Sequence, residues 1–313
     1  GVKNPGNNVY TTLHLDIQRA AYKALGTYDG AIIVTEVSTG KVLAMVSKPD
    51  YNPNEIVEIW DELQESDDSS VLLNRVTQGL YPPGSTFKIM TTLEYIRQNP
   101  DTYNNYSYNC VGTYRNGSDK IQCYHGSVHN RVSLLTSFSK SCNTSYANML
   151  NYIDLTVLQE LCDGLLFNQN LPIAISSAKS EFAIGDTDTT ALKMDTLIGQ
   201  GKTLVSPLHM VMITSAIANK GKLVEPYLLK SVKNNYGAVI KEFSSSGTSQ
   251  FMSEEEAAIL VGLMEEVVQK GTATKLLDKG YTAAGKTGSA EYNSNRDSHA
   301  WFTGFAPVDD PQI

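Results

Sequence analysis

The sequence lacks a long apolar run, a basic excess and any metal-binding motif. No stretch of its 313 residues approaches the roughly 18 to 20 consecutive apolar residues that a membrane-spanning helix needs. The 25 Lys and Arg residues against 33 Asp and Glu give a net charge of -8, which argues against nucleic acid as a partner. The five histidines form no H-E-x-x-H motif and the carboxylates do not cluster, so we expect neither a metal nor a cofactor.

The four cysteines also lack C-x-x-C spacing, which argues against a zinc ribbon or a thioredoxin-type motif. Two of them, Cys110 and Cys123, bracket a turn-rich segment. Two interpretations stay open for this pair: a small disulfide loop in an oxidising compartment, or two unrelated free thiols. His125 and His129 follow in a polar loop, where we expect loop or structural roles.

Strand patterns occur near both ends of the chain. An amphipathic helix at 17–25 precedes strand-like runs at 31–37 and 41–46, whose Ser38-Thr-Gly40 connection predicts a β-hairpin. A second hairpin is indicated at 228–243, and Ser253 and Glu256 form a capping box for a helix that ends near Lys270. Small apolar runs at 282–290 and 300–306 are typical of strands.

Between these ends, residues of about 55–220 have mostly helical patterns. We therefore predict one α+β domain, in which an antiparallel sheet covered by helices (about 1–54 and 221–313) carries an inserted all-helical lobe. The sequence stops at Ile313 directly after a turn and as an apolar residue begins, so we expect a further strand and helix after it.

The pattern S-x-x-K fits a serine nucleophile, because serine is weak at its own pKa and a lysine one helical turn later can act as its base. Ser85 follows the rigid Tyr81-Pro-Pro-Gly84 turn and precedes a mostly apolar run that predicts a buried helix. Such a helix desolvates Lys88 and favours its neutral amine. A capping serine with a snorkelling lysine is the alternative. The other matches begin at Ser38, Ser137 and Ser176.

Two further motifs are weaker on their own. Ser141-Cys-Asn143 lies between two predicted helices and could shuttle a proton and hold an amide, although the pair could instead cap a helix and Ser107-Tyr-Asn109 also matches. Gly285-Lys-Thr-Gly288 is the single K-T-G of the chain. It predicts a strand whose lysine and hydroxyls bind a carboxylate and whose Gly288 lets a ligand approach; a turn with a solvated lysine is the alternative.

Together and in this order, the three motifs resemble those of the active-site serine penicillin-binding proteins and β-lactamases. Their surroundings resemble class B penicillin-binding proteins over nearly the whole chain. These surroundings are Leu73-Asn-Arg75, Pro83-Gly-Ser-Thr-Phe-Lys88, Ile198-Gly-Gln-Gly201, Ser206-Pro207, Gly271-Thr-Ala273, His299-Ala-Trp-Phe302 and Phe305-Ala-Pro307. Ser289 stands after K-T-G where the family more often has threonine, and it keeps the hydroxyl.

The resemblance implies a β-lactamase/transpeptidase-like fold and a D,D-transpeptidase that cross-links peptidoglycan stem peptides, releases D-alanine and is acylated by β-lactams. It implies that Lys286 also keeps Lys88 neutral by repulsion, and that the backbone N–H groups of Ser85 and Ser289 form an oxyanion hole. The implied catalytic residues are Ser85, Lys88, Ser141, Asn143 and Lys286, and the implied substrate-binding residues are Thr287, Gly288 and Ser289.

Three relatives of this chemistry are alternatives: a β-lactamase, a β-lactam-sensing domain and a D,D-carboxypeptidase. Cys142 stands where a class A β-lactamase would have the aspartate of S-D-N. The resemblance further implies the extracytoplasmic face of a bacterial membrane, an N-terminal anchor and pedestal outside this sequence, and a membrane glycosyltransferase of the elongation or division machinery as partner. Trp301 and Phe302 are expected in the core, with a groove-lining role as the alternative.

Overall fold

The structure is a computed structural model that describes residues 6–65, 70–185, 187–290 and 298–313. Across these ranges, none of the helices combines the length and the apolar character needed to span a bilayer. The helices are α1 (Leu15–Leu25), α2 (Ile56–Glu65), α3 (Lys88–Gln98), α4 (Leu134–Ser139), α5 (Asn143–Asn148), α6 (Leu155–Gly164), α7 (Thr190–Leu197), α8 (Pro207–Ala218) and α9 (Glu254–Lys270).

The strands pair in antiparallel sheets that join both ends of the chain. They are β1 (Asn8–Thr11), β2 (Gly30–Thr35), β3 (Val42–Lys48), β4 (Ser107–Cys110), β5 (Thr113–Asn116), β6 (Asp119–Gln122), β7 (Asn130–Ser133), β8 (Lys222–Val224), β9 (Leu229–Lys233), β10 (Val239–Glu242), β11 (Thr248–Gln250), β12 (Ala284–Ala290) and β13 (His299–Phe305). β1 pairs with β9, and β9 with β10. The other pairs are β2–β3, β8–β11, β12–β13, β4–β7 and β5–β6.

Both predicted hairpins are confirmed, as β2–β3 and β9–β10. The capping box of α9 is confirmed too, because the Ser253 hydroxyl accepts from the Glu256 N–H at 3.1 Å and the Glu256 carboxylate accepts from the Ser253 N–H at 2.8 Å. The α+β class is therefore as predicted, with strands from both ends of the chain around a mainly helical middle.

The prediction of an all-helical lobe is wrong for residues 107–133, which contain β4 to β7. These strands have four residues each, and they lack the alternation of apolar and polar side chains that identifies a half-buried strand. β4 pairs with β7 and β5 with β6, and a ring contact between Tyr108 and Tyr114, whose centroids lie 6.3 Å apart, joins the two pairs.

The helix α3 runs through the core and is buried from Lys88 to Ile96. Phe87, Ile89 and Met90 are fully buried, and each such side chain stabilises the fold by about 1.5 to 3 kcal/mol. The polar side chains of α3 have internal partners: the Thr91 hydroxyl donates to the Leu197 carbonyl at 2.9 Å. The helix therefore holds Lys88 out of contact with the solvent.

Candidate active site

Ser85 lies in a 3-10 turn, Gly84–Phe87, that leads directly into α3. The turn is tight because Gly84 has φ +52° and its N–H donates to the Gly199 carbonyl at 2.9 Å. A Cβ on Gly84 would stand only 2.6 Å from the Ser289 carbonyl oxygen. Glycine is therefore needed at this position, both for its conformation and to let the turn approach β12.

Lys88 projects from the first turn of α3 and is fully buried. Its ammonium nitrogen donates to the Asn143 Oδ1 at 2.7 Å, to the Ser141 carbonyl at 2.9 Å and to the Ser141 hydroxyl at 3.2 Å. Among the described residues, the Ser85 hydroxyl has no hydrogen-bond partner, so it is available to a ligand. The structure thus brings the S-x-x-K and S-x-N motifs together, as predicted.

Lys286 reaches the same point from β12. It is fully buried, and its Nζ donates to the Ser141 hydroxyl at 3.0 Å and to the Thr287 carbonyl at 2.9 Å. Ser141 itself has φ +55°, a left-handed conformation that is strained for a serine. This strained residue places one hydroxyl between the two buried lysine nitrogens.

Burial shifts both lysines towards their neutral form. Desolvation lowers the pKa of Lys88 to about 7, against the opposing effect of the thiols of Cys142 and Cys123. Desolvation, followed by repulsion from Lys88, lowers the pKa of Lys286 well below its usual value. Burial is the main cause of both shifts, and the repulsion between the two ammonium groups is mutual, so it disfavours the state in which both lysines are charged. A neutral amine next to a hydroxyl is able to accept a proton.

The outer face of β12 carries the two other hydroxyls. Thr287 and Ser289 are two residues apart and share one face, with Thr287 half-buried and Ser289 exposed. The Thr287 hydroxyl forms a hydrogen bond with the Thr272 hydroxyl. Thr272 belongs to the Gly271-Thr-Ala273 segment, to which the sequence assigned no role. A carboxylate that lies on this face would meet hydroxyl donors from both strand residues.

Gly288 lies where β12 meets the turn of the nucleophile. A Cβ on Gly288 would lie 3.0 Å from the Pro83 carbonyl and 3.1 Å from Thr86, so its small size lets β12 pack on the turn of the nucleophile. Phe302, expected in the core, is 51% exposed and its ring covers Gly285. Trp301 is half-buried, packs against the core and donates from Nε1 to the Pro82 carbonyl at 3.0 Å.

The competing motif matches do not build a site. Lys41, which follows Ser38, forms a surface ion pair with Glu36 at 3.0 Å. Ser137 is buried and bonds Ser145 at 2.7 Å, while Lys140 is exposed. Ser176 and Lys179 are both exposed in an irregular segment, and Ser107 and Asn109 lie exposed on β4.

Three cysteines and a histidine meet beside this site. The Cys123 sulfur lies 3.7 Å from the Cys110 sulfur and 3.8 Å from the Cys142 sulfur, and His129 Nδ1 lies 3.5 Å and 3.6 Å from the Cys110 and Cys123 sulfurs. All four cysteines of the chain are free. Both interpretations of Cys110 and Cys123 are thus wrong, since the thiols are neither bonded nor unrelated. The four ligand atoms of Cys110, Cys123, His129 and Cys142 lie within 4.8 Å of one another, a grouping that the search for H-E-x-x-H and clustered carboxylates did not detect.

The thiols of the cysteine cluster also affect one another's pKa through a hydrogen bond. A hydrogen bond donated by the Cys142 thiol lowers the pKa of Cys123 to about 4, and the same bond raises the pKa of Cys142. The Thr144 hydroxyl lies 3.1 Å, 3.5 Å and 3.4 Å from the sulfurs of Cys110, Cys123 and Cys142. Sulfur and imidazole nitrogen are the ligands that Zn²⁺ prefers in proteins.

Comparison with known proteins gives consistent matches over almost the whole chain. The family model of the penicillin binding protein transpeptidase domain matches residues 30–313. Peptidoglycan D,D-transpeptidase PbpA of Mycolicibacterium smegmatis is 32% identical over an alignment of 331 positions, which covers 98% of this chain and 66% of that protein. The chain thus spans just under two thirds of the length of this relative.

Two solved structures are similar in fold. The D,D-transpeptidase domain of a peptidoglycan glycosyltransferase from Eggerthella lenta has a TM-score of 0.91 at 28% identity, covering 98% of this chain and 76% of that one. The penicillin G acyl-enzyme complex of penicillin-binding protein A from M. tuberculosis has a TM-score of 0.86 at 30% identity, covering 98% of this chain and 73% of that one. The β-lactamase/transpeptidase-like α+β fold is therefore confirmed.

Proposed function

The chain belongs to the family of penicillin-binding protein transpeptidase domains, and from this premise we propose that it is a serine D,D-transpeptidase that cross-links peptidoglycan stem peptides. One observation carries the proposal: the hydroxyl of Ser141 lies within 3.2 Å of the nitrogens of two buried lysines, one of them a single turn after Ser85. Such an arrangement suits acyl transfer, in which one proton must leave a nucleophile and reach a leaving group.

In acylation, the Ser85 hydroxyl oxygen attacks the carbonyl carbon of the penultimate D-alanine while neutral Lys88 takes the hydroxyl proton. The bond from that carbon to the nitrogen of the terminal D-alanine then breaks. Ser141 passes a proton from Lys88 to the leaving amine, and free D-alanine departs from a Ser85 ester. The 2.7 Å contact from Asn143 to Lys88 supports a role of Asn143 in holding the base in place.

The negative charge of the tetrahedral intermediate falls on the former carbonyl oxygen. The backbone N–H groups of Ser85 and Ser289 donate hydrogen bonds to this oxygen. The first N–H groups of a helical turn have no partner within the helix and are therefore available as donors. The close approach of Gly84 to the Ser289 carbonyl supports this pairing. The Thr287 and Ser289 hydroxyls hold the terminal carboxylate, with Gly288 setting the distance of β12 from the nucleophile, while Lys286 contacts Ser141 from the opposite face of the strand.

In the second step, an amine of another stem peptide attacks the ester carbon, forms the cross-linking amide and returns the proton to Ser85. A β-lactam acylates the same serine, and its opened ring keeps the leaving group attached. The acyl-enzyme complexes known for penicillin-binding protein A of M. tuberculosis support this expectation.

The test is the intact mass after incubation with penicillin G. We expect one penicillin adduct on the wild type and none on Ser85→Ala. Ser38→Ala is the matched control, because Ser38 begins another S-x-x-K and is exposed, and it should carry one adduct as the wild type does. An adduct that persists on Ser85→Ala would exclude this nucleophile. Sustained hydrolysis of nitrocefin would favour a β-lactamase, and an acyl donor that passes only to water, never to an added amine, would favour a D,D-carboxypeptidase.

We also propose that the domain acts on the extracytoplasmic face of a bacterial membrane, anchored by a segment outside this sequence, with a membrane glycosyltransferase of the elongation or division machinery as partner. The substrate supports this placement, because peptidoglycan is cross-linked outside the cell membrane. The Eggerthella lenta domain, which is named as part of a peptidoglycan glycosyltransferase, supports the pairing of the two activities. Co-purification of the full-length protein with a glycosyltransferase from solubilised membranes tests the partner.

A further inference from the structure

The cluster of Cys110, Cys123, His129 and Cys142 draws on four separate parts of the chain. Cys110 ends β4, Cys123 follows β6, His129 precedes β7 and Cys142 precedes α5. The three cysteines are buried and His129 is half-buried. These segments meet only in the folded chain, so the cluster is a product of the tertiary structure.

The distances within this cluster are those of a tetrahedral metal site. With a metal–sulfur bond of about 2.3 Å and a metal–nitrogen bond of about 2.0 to 2.1 Å, tetrahedral geometry puts two sulfurs about 3.8 Å apart and sulfur and nitrogen about 3.5 to 3.6 Å apart. The sulfurs are separated by 3.7 Å and 3.8 Å, and the nitrogen lies 3.5 Å and 3.6 Å from two of them. Four of the six separations therefore match a tetrahedron, and the other two, from Cys142 to Cys110 and to His129, are at most 4.8 Å.

The chemistry of the ligands selects the metal. Three thiolates and one imidazole in a tetrahedral arrangement suit Zn²⁺, and four protein ligands leave no open position for a reacting water. A disulfide would use two of the three sulfurs and leave the third without a partner. The Thr144 hydroxyl, which is buried against all three sulfurs, supplies the outer hydrogen bond that metal thiolates usually receive.

We propose that Cys110, Cys123, His129 and Cys142 bind one Zn²⁺ ion as a structural site that fixes the wall of the active site. The link to that wall is covalent, because Cys142 stands between Ser141 and Asn143, the residues that contact Lys88. A second link is the Asn143 side-chain amide, which donates to the Gln122 carbonyl at 3.1 Å, next to Cys123. The zinc holds the strained Ser141 and the acceptor of Lys88 in one position.

Metal analysis is the first test. We expect about one zinc per chain in protein purified without chelator or histidine tag, and loss of that zinc in His129→Ala and Cys142→Ser. Cys162→Ser is the matched control, because Cys162 is also buried but lies in α6, outside the cluster. Zinc-free wild type from zinc-supplemented cells, iron in place of zinc, or a disulfide between any two cluster cysteines would overturn the proposal.

Cobalt substitution keeps the test independent of variants that fold poorly. Wild-type protein refilled with Co²⁺ is expected to show the visible bands of tetrahedral cobalt and a thiolate charge-transfer band, whereas a spectrum of six-coordinate cobalt contradicts the site. Ser85→Ala should bind zinc as the wild type does while forming no penicillin adduct. Failure of the metal site and failure of the proposed nucleophile are therefore separable.

Removal of the ion tests its role. Chelation of the wild type should lower Tm by about 10 °C or more and slow acylation by penicillin about tenfold or more, since the ligands hold the residues around Lys88. Added zinc should restore both, and Cys162→Ser should respond in the same way. Zinc-free protein that keeps its Tm and its acylation rate would contradict a structural role.

Discussion

Replacing Gly84 by alanine tests whether the contact between the nucleophile turn and β12 sets the geometry of the site. The new Cβ would stand 2.6 Å from the Ser289 carbonyl oxygen, 2.9 Å from its carbon and 3.1 Å from Ala290 Cβ. Ordinary contact begins near 3.4 Å, so turn and strand must separate by about 0.8 Å. Two of these three atoms belong to the backbone of a paired strand, which does not yield as a flexible side chain would.

Two costs follow from this change. Alanine in the left-handed conformation costs about 1 to 2 kcal/mol, and overpacking adds about 1 to 3 kcal/mol, so Gly84→Ala should lower the free energy of unfolding by about 2 to 5 kcal/mol. A misplacement near 1 Å costs a reaction about 100-fold, which is about 2.7 kcal/mol of barrier. We therefore expect Gly84→Ala to react with fluorescent penicillin about 100-fold more slowly.

Gly117→Ala is the matched control. Gly117 has φ +61° in the turn between β5 and β6, and a Cβ there would meet nothing within 4 Å. Gly117→Ala should lower the free energy of unfolding by only the conformational term of about 1 to 2 kcal/mol and keep the wild-type acylation rate. Thermal unfolding and the second-order rate constant of acylation measure both effects. If Gly84→Ala acylates as fast as Gly117→Ala, the close approach of the turn to β12 does not determine reactivity.

Three further predictions concern the base and the core. Lys88 has a lowered pKa of about 7 and acts as a neutral amine, so the rate of acylation should fall about tenfold per pH unit below that pKa and level off above it. A rate measured by stopped flow that stays constant between about pH 5 and about pH 9 would exclude this base. Asn143→Ala removes the 2.7 Å acceptor of Lys88 and should slow acylation about 100-fold, whereas Asn109→Ala, in the exposed S-x-N match, should leave it unchanged. Leu93→Ala leaves a cavity at a buried position of α3 and should lower the free energy of unfolding, measured by thermal unfolding, by about 2 to 5 kcal/mol. The control Val57→Ala, at a side chain that is 88% exposed, should change it almost not at all. Equal losses in the two variants would contradict the central position of α3.

The catalytic group was predictable from sequence because each of its motifs has a local signature. A proline and glycine turn before Ser85 and an apolar run after it distinguish this S-x-x-K from three others. Among the described residues, its lysine is the one of the four whose side chain bonds Ser141 and Asn143. The strand register then fixes which residues of β12 face inward, so Lys286 is buried while Ser289 is exposed. The alternation of side chains along a strand and the proline and glycine residues of a turn were sufficient to predict these features.

The cysteine cluster was not predictable, because its ligands have no fixed spacing along the chain. Cys110 and Cys142 approach Cys123 only after β4, β6 and α5 have packed, and short strands of mixed polarity give no periodic signal. The exposure of Phe302 was missed for a related reason. An aromatic residue in a strand predicts burial on average, and which face it occupies depends on what covers the sheet.

The site draws on residues 85, 141 and 286, so most of the chain must be synthesised before its parts coexist. During translation, a nascent chain that has reached only α8 already contains the nucleophile and Lys88 but lacks β12 and therefore Lys286 and Ser289. Because domains fold as units and contacts of long sequence separation form late, such an intermediate has no complete reaction centre. The order of synthesis thus keeps the serine unreactive until β12 has been made.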